Sequence, residues 1–460
     1  MDSGNTAWVL TSAALVMLMT PGLAFFYGGM VRSKSVLNMI MMSLGSMGVV
    51  GILWVLFGYS MAFGDDVGLG LLGNPLEYFG LNGLWSPDSL SGDIPTLAFV
   101  GFQAMFAIIT VALISGAVAD RIRFGPWLLF AGLWALVVYF PVAHWVFAFS
   151  DEESGVVGGW IANTLGAIDF AGGTAVHINA GAAALALALV LGRRRGWPQE
   201  PMRPHNLPMV VLGAALLWFG WFGFNAGSAL AADGAAALVL VNTLVATGAA
   251  MLAWLLVERI RDKHATTLGA ASGIVAGLVA ITPAGSSVSP LGAIAVGLIS
   301  GALCALAVGL KYRFRYDDSL DVVGVHLVGG LVGTLLIGFF GDSSTPAGVD
   351  GLFFGGGFGL LGIQAVGAFA VLAYSFVLSL LLALLVKAVI GLRVPPEAED
   401  AGVDESEHAE GGYEFAGFAV SRVAGHQTGS TGAATTSAPG PTAPTTSSDS
   451  ASPAYEGSKQ

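Results

Sequence analysis

Apolar and polar positions alternate along this chain on a long scale. Runs of mostly apolar residues, separated by short polar loops, match the about 20 residues that a helix needs to cross the hydrocarbon core of a membrane. The pattern predicts eleven such helices, at roughly 6–30, 39–63, 97–119, 126–148, 169–192, 209–230, 236–257, 266–282, 291–310, 319–340 and 361–391. The eighth run is short for a span. From about residue 394 the character changes: 394–427 is polar and acidic, and 428–460 is rich in Ser, Thr, Ala and Pro. The first reads as a cytoplasmic regulatory segment following a membrane domain of 1–393, the second as a disordered low-complexity tail.

Basic residues test the count, because lysine and arginine collect in cytoplasmic loops. On the eleven-span map all 18 fall on one side, from Arg32 and Lys34 through Arg193, Arg194 and Arg195 to Lys387 and Arg393. The opposite loops carry acids instead, among them Asp65, Asp66, Glu77, Asp151, Asp233, Asp342 and Asp350. A miscount by one would scatter the later charges onto both sides. The expected architecture is therefore all-α and polytopic, with the N-terminus outside and the C-terminus in the cytoplasm.

Composition agrees. The chain is 55% hydrophobic and 10% charged, against about 25% charged in soluble domains. Its 66 glycines suit helices that pack closely in lipid. The net charge of −12 resides largely in outer loops and tail and calls for no nucleic-acid partner. The single cysteine, Cys304, excludes an internal disulfide and reads as a core residue. The start "MDSGNTAWVL" lacks the basic region of a cleavable signal peptide, so the first run reads as a retained span.

Two spans carry an echo: "VHINAG" at 176–181 in the fifth and "VHLVGG" at 325–330 in the tenth. An aspartate precedes each histidine, Asp169 eight residues before His177 and Asp321 five before His326. The two spans run in opposite directions, which predicts an inverted repeat of spans 1–5 and 6–10 with the eleventh extra. At 1.5 Å per residue both rings fall in the middle third of the bilayer. An ionisable residue at that depth is a functional candidate. Neutral imidazole, with one donor and one acceptor, is the least costly choice, and two touching rings can share a proton. Separate burial of each ring between helices is the structural alternative. A metal site would need further ligands, and none lies at matching depth. Asp169 and Asp321 each also read as helix caps or end fixtures.

Aromatic residues cluster in "GFQAMFAIIT" (Phe102, Phe106) and "WFGWFGFNAGSA" (Trp218, Trp221, Phe222, Phe224). Aromatic faces hold bare cations or plug a pore, although most aromatics in a bundle simply pack.

The segment "DFAGGTAVHINAG" resembles the signature of the ammonium transporter (Amt/MEP/Rh) family, bacterial Amt-like branch. The likeness extends through "TPGLAFFYGGMVRSKSVLN", "FQAMFAIITVALISGAVADRIRF", "WFGFNAGSAL", "DDSLDVVGVHLVGGLVG" and "AGVDESEHAEGGYEF", over about residues 6–415. The resemblance implies a homotrimer in the cell membrane with one pore per subunit, and no cofactor, metal or enzymatic activity. It implies an outer ammonium site formed by Ser228, Asp169, Trp221 and an aromatic of "HWVF". It further implies a phenyl gate of Phe106 and Phe224 and a pore pair of His177 and His326. Ammonium or ammonia would be the substrate, with methylammonium as analogue, and a PII-type signal protein a candidate cytoplasmic partner. Phe147 stands where the family usually has tryptophan, and an acidic insert follows it before Gly158 and Gly159. Phenyl binds cations less strongly than indole, so either Phe147 or a repositioned Trp145 would supply the contact. The rival readings are an ammonium sensor signalling through the tail, a passive gas or urea channel, and an intramembrane enzyme, which lacks a nucleophile or metal set.

Overall fold

The computed structural model describes residues 1–151, 155–200 and 202–413. The disordered-tail expectation for 428–460, and the part of the regulatory segment from 414 to 427, lie outside the described residues, as do Glu152 and Glu153 of the acidic insert.

Among the described residues, ten helices are long and apolar enough to cross a membrane. They are α1 (Ser3–Met30), α2 (Val36–Phe63), α3 (Thr96–Val118), α4 (Phe124–Phe147), α5 (Gly173–Leu191), α6 (Leu207–Gly227), α7 (Gly234–Arg261), α9 (Pro290–Phe314), α10 (Val323–Phe340) and α11 (Gly359–Ile390). Between α7 and α9 lies the shorter apolar α8 (Thr267–Ile281), at the run expected to be short. Two short helices follow, α12 (Pro396–Ala401) and α13 (Val403–His408). Strand structure among the described residues amounts to a small hairpin pairing Leu90–Ser91 with Ile94–Pro95 and isolated bridges at Asp66–Gly73, Ile122–Arg393 and Asp151–Val156.

Side chains placed for the purpose start many of these helices. Asp2, Asn206, Asp233, Thr266 and Ser289 each accept the backbone N–H three residues on, satisfying a donor that the first turn would leave open. Apolar faces of α2, α7, α9 and α11 remain exposed, through Ile52, Leu252, Leu298 and Leu381 among others. A chain in water would bury such faces; in lipid they cost nothing.

The most extensive contact between helices joins α1 to α6. The body of α5 packs against the first turn of α10, and the body of α10 against the first turn of α5. Glycine permits both crossings. A Cβ on Gly181 would lie 2.5 Å from the Leu327 backbone nitrogen, and one on Gly330 would lie 3.0 Å from the Gly173 carbonyl oxygen. Both first turns, Gly173–Ile178 and Val323–Leu327, are π-helical and carry the histidines. Such single-turn widenings recur at functional sites.

The basic end of the bundle is knitted by buried ion pairs. Arg194 bonds both Asp317 (2.8 Å) and Asp120 (3.2 Å), and Arg121, fully buried, donates to the carbonyls of Ala117, Ala119, Gly192 and Asp317. Burial alone would raise the Asp317 carboxyl; its bond to Arg194 and the charge of Arg121 bring it below the usual range.

Candidate functional site

The site is built on the turns that open α5 and α10. Ahead of α5, Asp169 folds its carboxylate back along the chain. Oδ1 accepts the backbone N–H groups of Gly172 (2.8 Å) and Gly173 (2.6 Å), and Oδ2 those of Thr174 (2.8 Å) and Ala175 (3.2 Å). The Thr174 hydroxyl donates to Oδ2 as well. Ahead of α10 the same work falls to Asp318, which accepts from Val322 (3.1 Å) and Val323 (2.8 Å). This corrects the pairing of Asp169 with Asp321. Asp318 precedes His326 by eight residues, the spacing of Asp169 and His177. Asp321 matches Gly172 instead: both have positive φ, 64° and 114°, at the bend into the helix. Asp321 is an end fixture, its carboxylate 2.7 Å from the Lys311 ammonium. Burial lifts the Asp318 carboxyl to about 6, with the charge of Asp321 adding to the rise.

At the acidic end a cavity of about 1050 Å³ opens, lined by Phe99, Gln103, Phe106, Phe147, Asp169 and Ser228 among others. The Ser228 hydroxyl donates to the Phe224 carbonyl (2.9 Å), which leaves its oxygen free to accept. Phe147 is half-buried and faces this cavity. Trp145 does not: it is buried, donates to the Leu71 carbonyl (2.8 Å) and packs on Trp160 and Tyr374. Of the two aromatics left open by the sequence, Phe147 is the one in position. Gln103 in this lining was not singled out in the sequence, where it sits unmarked in an apolar run.

Below the cavity the Phe106 and Phe224 rings stack, with centroids 4.1 Å apart and planes 18° apart. Phe147 meets Phe106 edge-on at 6.4 Å, and Phe102 backs Phe106 at 4.9 Å. Beneath the stack lies a chamber of about 10 Å³, roughly the room one water molecule needs. Trp221, Phe224, His177, His326 and aliphatic side chains of α1, α3 and α6 line it. Trp221 therefore belongs to this chamber and not to the outer cavity, where the sequence had grouped it. Its ring stacks on His177 at 5.4 Å and its N–H donates to Thr282 (2.9 Å). A second chamber of about 10 Å³ follows toward the basic end, lined by His326, Phe26, Tyr27 and Asp321.

His177 and His326 meet through their Nδ1 atoms at 3.3 Å, with ring planes 26° apart. Both rings are buried. Two neutral imidazoles in this contact share one proton between the Nδ1 atoms. The ring that donates there has a bare Nε2, and the ring that accepts carries an Nε2–H. The pair thus offers one acceptor and one donor at its two Nε2 atoms; swapping them requires the shared proton to cross while the bare Nε2 gains a proton and the other Nε2 loses one. Among the described residues, Nε2 of His177 has no hydrogen-bond partner.

Residues 7–413 match the model of the Ammonium Transporter Family. Over 436 residues the chain is 66% identical to an ammonium transporter of Mycobacterium tuberculosis, covering 90% of this chain and 91% of that one. It is 47% identical to an ammonium transporter of Bacillus subtilis, covering 90% and 99%. Among solved structures, Saccharomyces cerevisiae Mep2 aligns with a TM-score of 0.78 at 35% identity, covering 86% of this chain and 88% of that one. A structure titled "Sensor Amt Protein" aligns with a TM-score of 0.80 at 33% identity, covering 88% and 98%. A multi-pass helical chain with this extent of likeness belongs to the ammonium transporter family.

Proposed function

We propose that this protein carries ammonium nitrogen across the cell membrane through its own pore, binding the cation outside, taking a proton from it and passing the neutral species. The acidic end then faces out and the basic end the cytoplasm, with eleven spans including α8. The observation that carries the reading is the Nδ1–Nδ1 contact of His177 and His326 beneath stacked phenyl rings.

Ammonium enters the outer cavity, where Ser228 accepts one N–H and the Phe147 face attracts the charge. Asp169 has its oxygens engaged by five donors, so it acts through its charge and through the turn it holds. Potassium is similar to ammonium in charge and size, so the cavity alone does not sort them. The passage beyond does. It is apolar, one molecule wide, and a bare charge near the midplane costs about 3 kcal/mol or more. Ammonium can give up its proton, to the water of the outer cavity or to the bare Nε2 of the histidine pair, and potassium has none to give. Ammonia then accepts from or donates to the Nε2 atoms and leaves past Phe26 and Tyr27. Whether the proton travels separately is decided by charge counted per nitrogen moved.

Substitution of both His177 and His326 by leucine tests the role. Purified protein in liposomes is expected to lose its selective, ammonium-dependent current or flux. A selective current of wild-type size in the double variant overturns it.

A second reading, an ammonium sensor, is favoured by the similarity to the "Sensor Amt Protein". Methylammonium uptake by the purified protein separates the two. The subunit is proposed to form a homotrimer, and its cytoplasmic face to bind a PII-type signal protein; pull-down with and without residues 394–460 tests the second point.

A further inference from the structure

The last long helix, α11, lines neither of the two small chambers; its first turn reaches the rim of the outer cavity. Yet its buried face carries polar side chains. Gln364, Ser375 and Ser379 lie on it with Ala368 and Val371, at steps of three and four residues, and all five are fully buried. A primary amide shut away from water is costly unless its donors and acceptor are engaged. Those of Gln364 are. Its Oε1 accepts the Ile168 backbone N–H (2.7 Å), and its Nε2 donates to the carbonyls of Ile168 (2.7 Å) and Thr334 (3.3 Å). These partners fix which way the amide points.

Ile168 needs such a partner because the chain there is not helical. Between the π-turn Ile161–Leu165 and α5 it bends at Gly166 (φ 71°) and Gly172 (φ 114°), and its peptide groups must find bonds elsewhere. Gln364 gives Ile168 the two bonds that a neighbouring β-strand would give. On the other side of Asp169 the Phe170 N–H donates to the Pro283 carbonyl (3.2 Å), just past the end of α8. Asp169 thus stands between two tied peptides, and Ile168, Asp169 and Phe170 all line the outer cavity.

Ser375 follows Gln364 by eleven residues, about 16 Å along the helix. Its hydroxyl donates to the Asn179 carbonyl (2.7 Å). Asn179 comes directly after the π-helical turn Gly173–Ile178 that carries His177. Between the two anchors Gly367 lets α11 close on this segment: an added Cβ would lie 3.3 Å from that of Ala167. The helix grips the chain once before the histidine turn and once after it.

We propose that Gln364 and Ser375 are positioning residues through which α11 straps the His177 turn at both ends. Gln364 holds Asp169 at the wall of the outer cavity, and Ser375 holds the histidine against its mate. Neither touches substrate. The proposal rests on the reading of Ser228 and Asp169 as the outer cation site and of the histidine pair as the path beyond it, and the experiment separates the two. Methylammonium uptake into liposomes and nitrogen-15 spectra of histidine-labelled protein are recorded for wild type, Ser228→Ala, Gln364→Met, Gln364→Asn and Ser375→Ala.

Ser228→Ala is expected to raise KM about tenfold, by removing an acceptor for a charged donor. Gln364→Met fills the amide's volume without its bonds, and Gln364→Asn withdraws the amide by one methylene. Each is expected to raise KM about fivefold, with kcat within about twofold and the His177 signal in place, because Asp169 still caps the turn. Ser375→Ala is expected to keep KM within about twofold and to move the His177 signal, assigned by its absence in His177→Gln. A role in stability alone would lower the amount of active protein, and so the apparent kcat, while leaving KM and the His177 signal as in wild type.

A wild-type KM in Ser228→Ala overturns the reading of the outer site. A raised KM there with a wild-type KM in Gln364→Met overturns the outer end of the strap, and an unmoved His177 signal in Ser375→Ala overturns the inner end. If neither Gln364 variant assembles, Ser375→Ala, which removes a single hydroxyl, decides, since the strap requires both ends.

Discussion

On the function proposed, a phenyl ring at position 147 limits how firmly the outer cavity holds a cation. Indole offers a larger, more negative face, and contacts of this type contribute about 0.5–2 kcal/mol. Phe147 is half-buried with its ring on the open cavity, so the wider side chain has room on the solvent side. Phe147→Trp is expected to lower KM for methylammonium about threefold with kcat little changed. Uptake kinetics in liposomes check this, and an unchanged or higher KM would argue that the ring serves only as packing for Phe106. At this scale the sequence was informative where residues are unusual for their surroundings. His177 and His326 stand out because imidazole is rare in lipid. Gln103 escaped notice because one amide in an apolar run has many ordinary uses, and only the fold reveals what it faces.

Hydrophobic run length marked the helices well, including the shortness of α8 at 15 residues. It could not mark the π-helical turns under both histidines, since one residue of widening hardly changes the apolar pattern. Nor did it find the true mate of Asp169. Three aspartates, Asp317, Asp318 and Asp321, precede α10, and the local echo favours whichever lies nearest. Eight-residue spacing and a positive φ at the bend identify Asp318. That assignment has a consequence for pH. The folded-state pKa of Asp318, about 6, lies above the unfolded value of about 3.9, so the folded chain holds a proton that the unfolded chain releases. The stability from this group is full below about 4 and is lost as pH rises through about 6. Thermal unfolding in detergent is expected to show wild type losing stability relative to Asp318→Asn across that window. Parallel curves for the two proteins would remove the effect.

For the whole molecule, the question is how a segment beyond the last span bears on the proposed pore far from it. Residues 394–413 lie on the basic end and reach several helices through acidic side chains. Asp404 accepts the N–H groups of Leu37 (3.0 Å) and Asn38 (2.8 Å) at the start of α2. Glu407 accepts that of Phe124 (2.8 Å) at the start of α4. Glu399 accepts that of Arg195 (2.7 Å) and pairs with Arg393. The segment is thus a cap shared among helices, one of which, α4, carries Phe147 to the wall of the outer cavity at its far end. Asp404→Ala would leave two N–H groups at the start of α2 without acceptors, at a cost of about 1–3 kcal/mol each where they stay buried. Faster hydrogen exchange at Val36–Met39 is the expected result, with exchange at the His177 turn unchanged because Asp169 caps it independently. Exchange at Val36–Met39 as slow as in wild type would mean that the segment rests on the helices without bracing them. Uptake measured on the same sample then separates two roles: a fall in kcat together with faster exchange makes the cap part of the transport machinery, whereas a wild-type kcat confines it to stability.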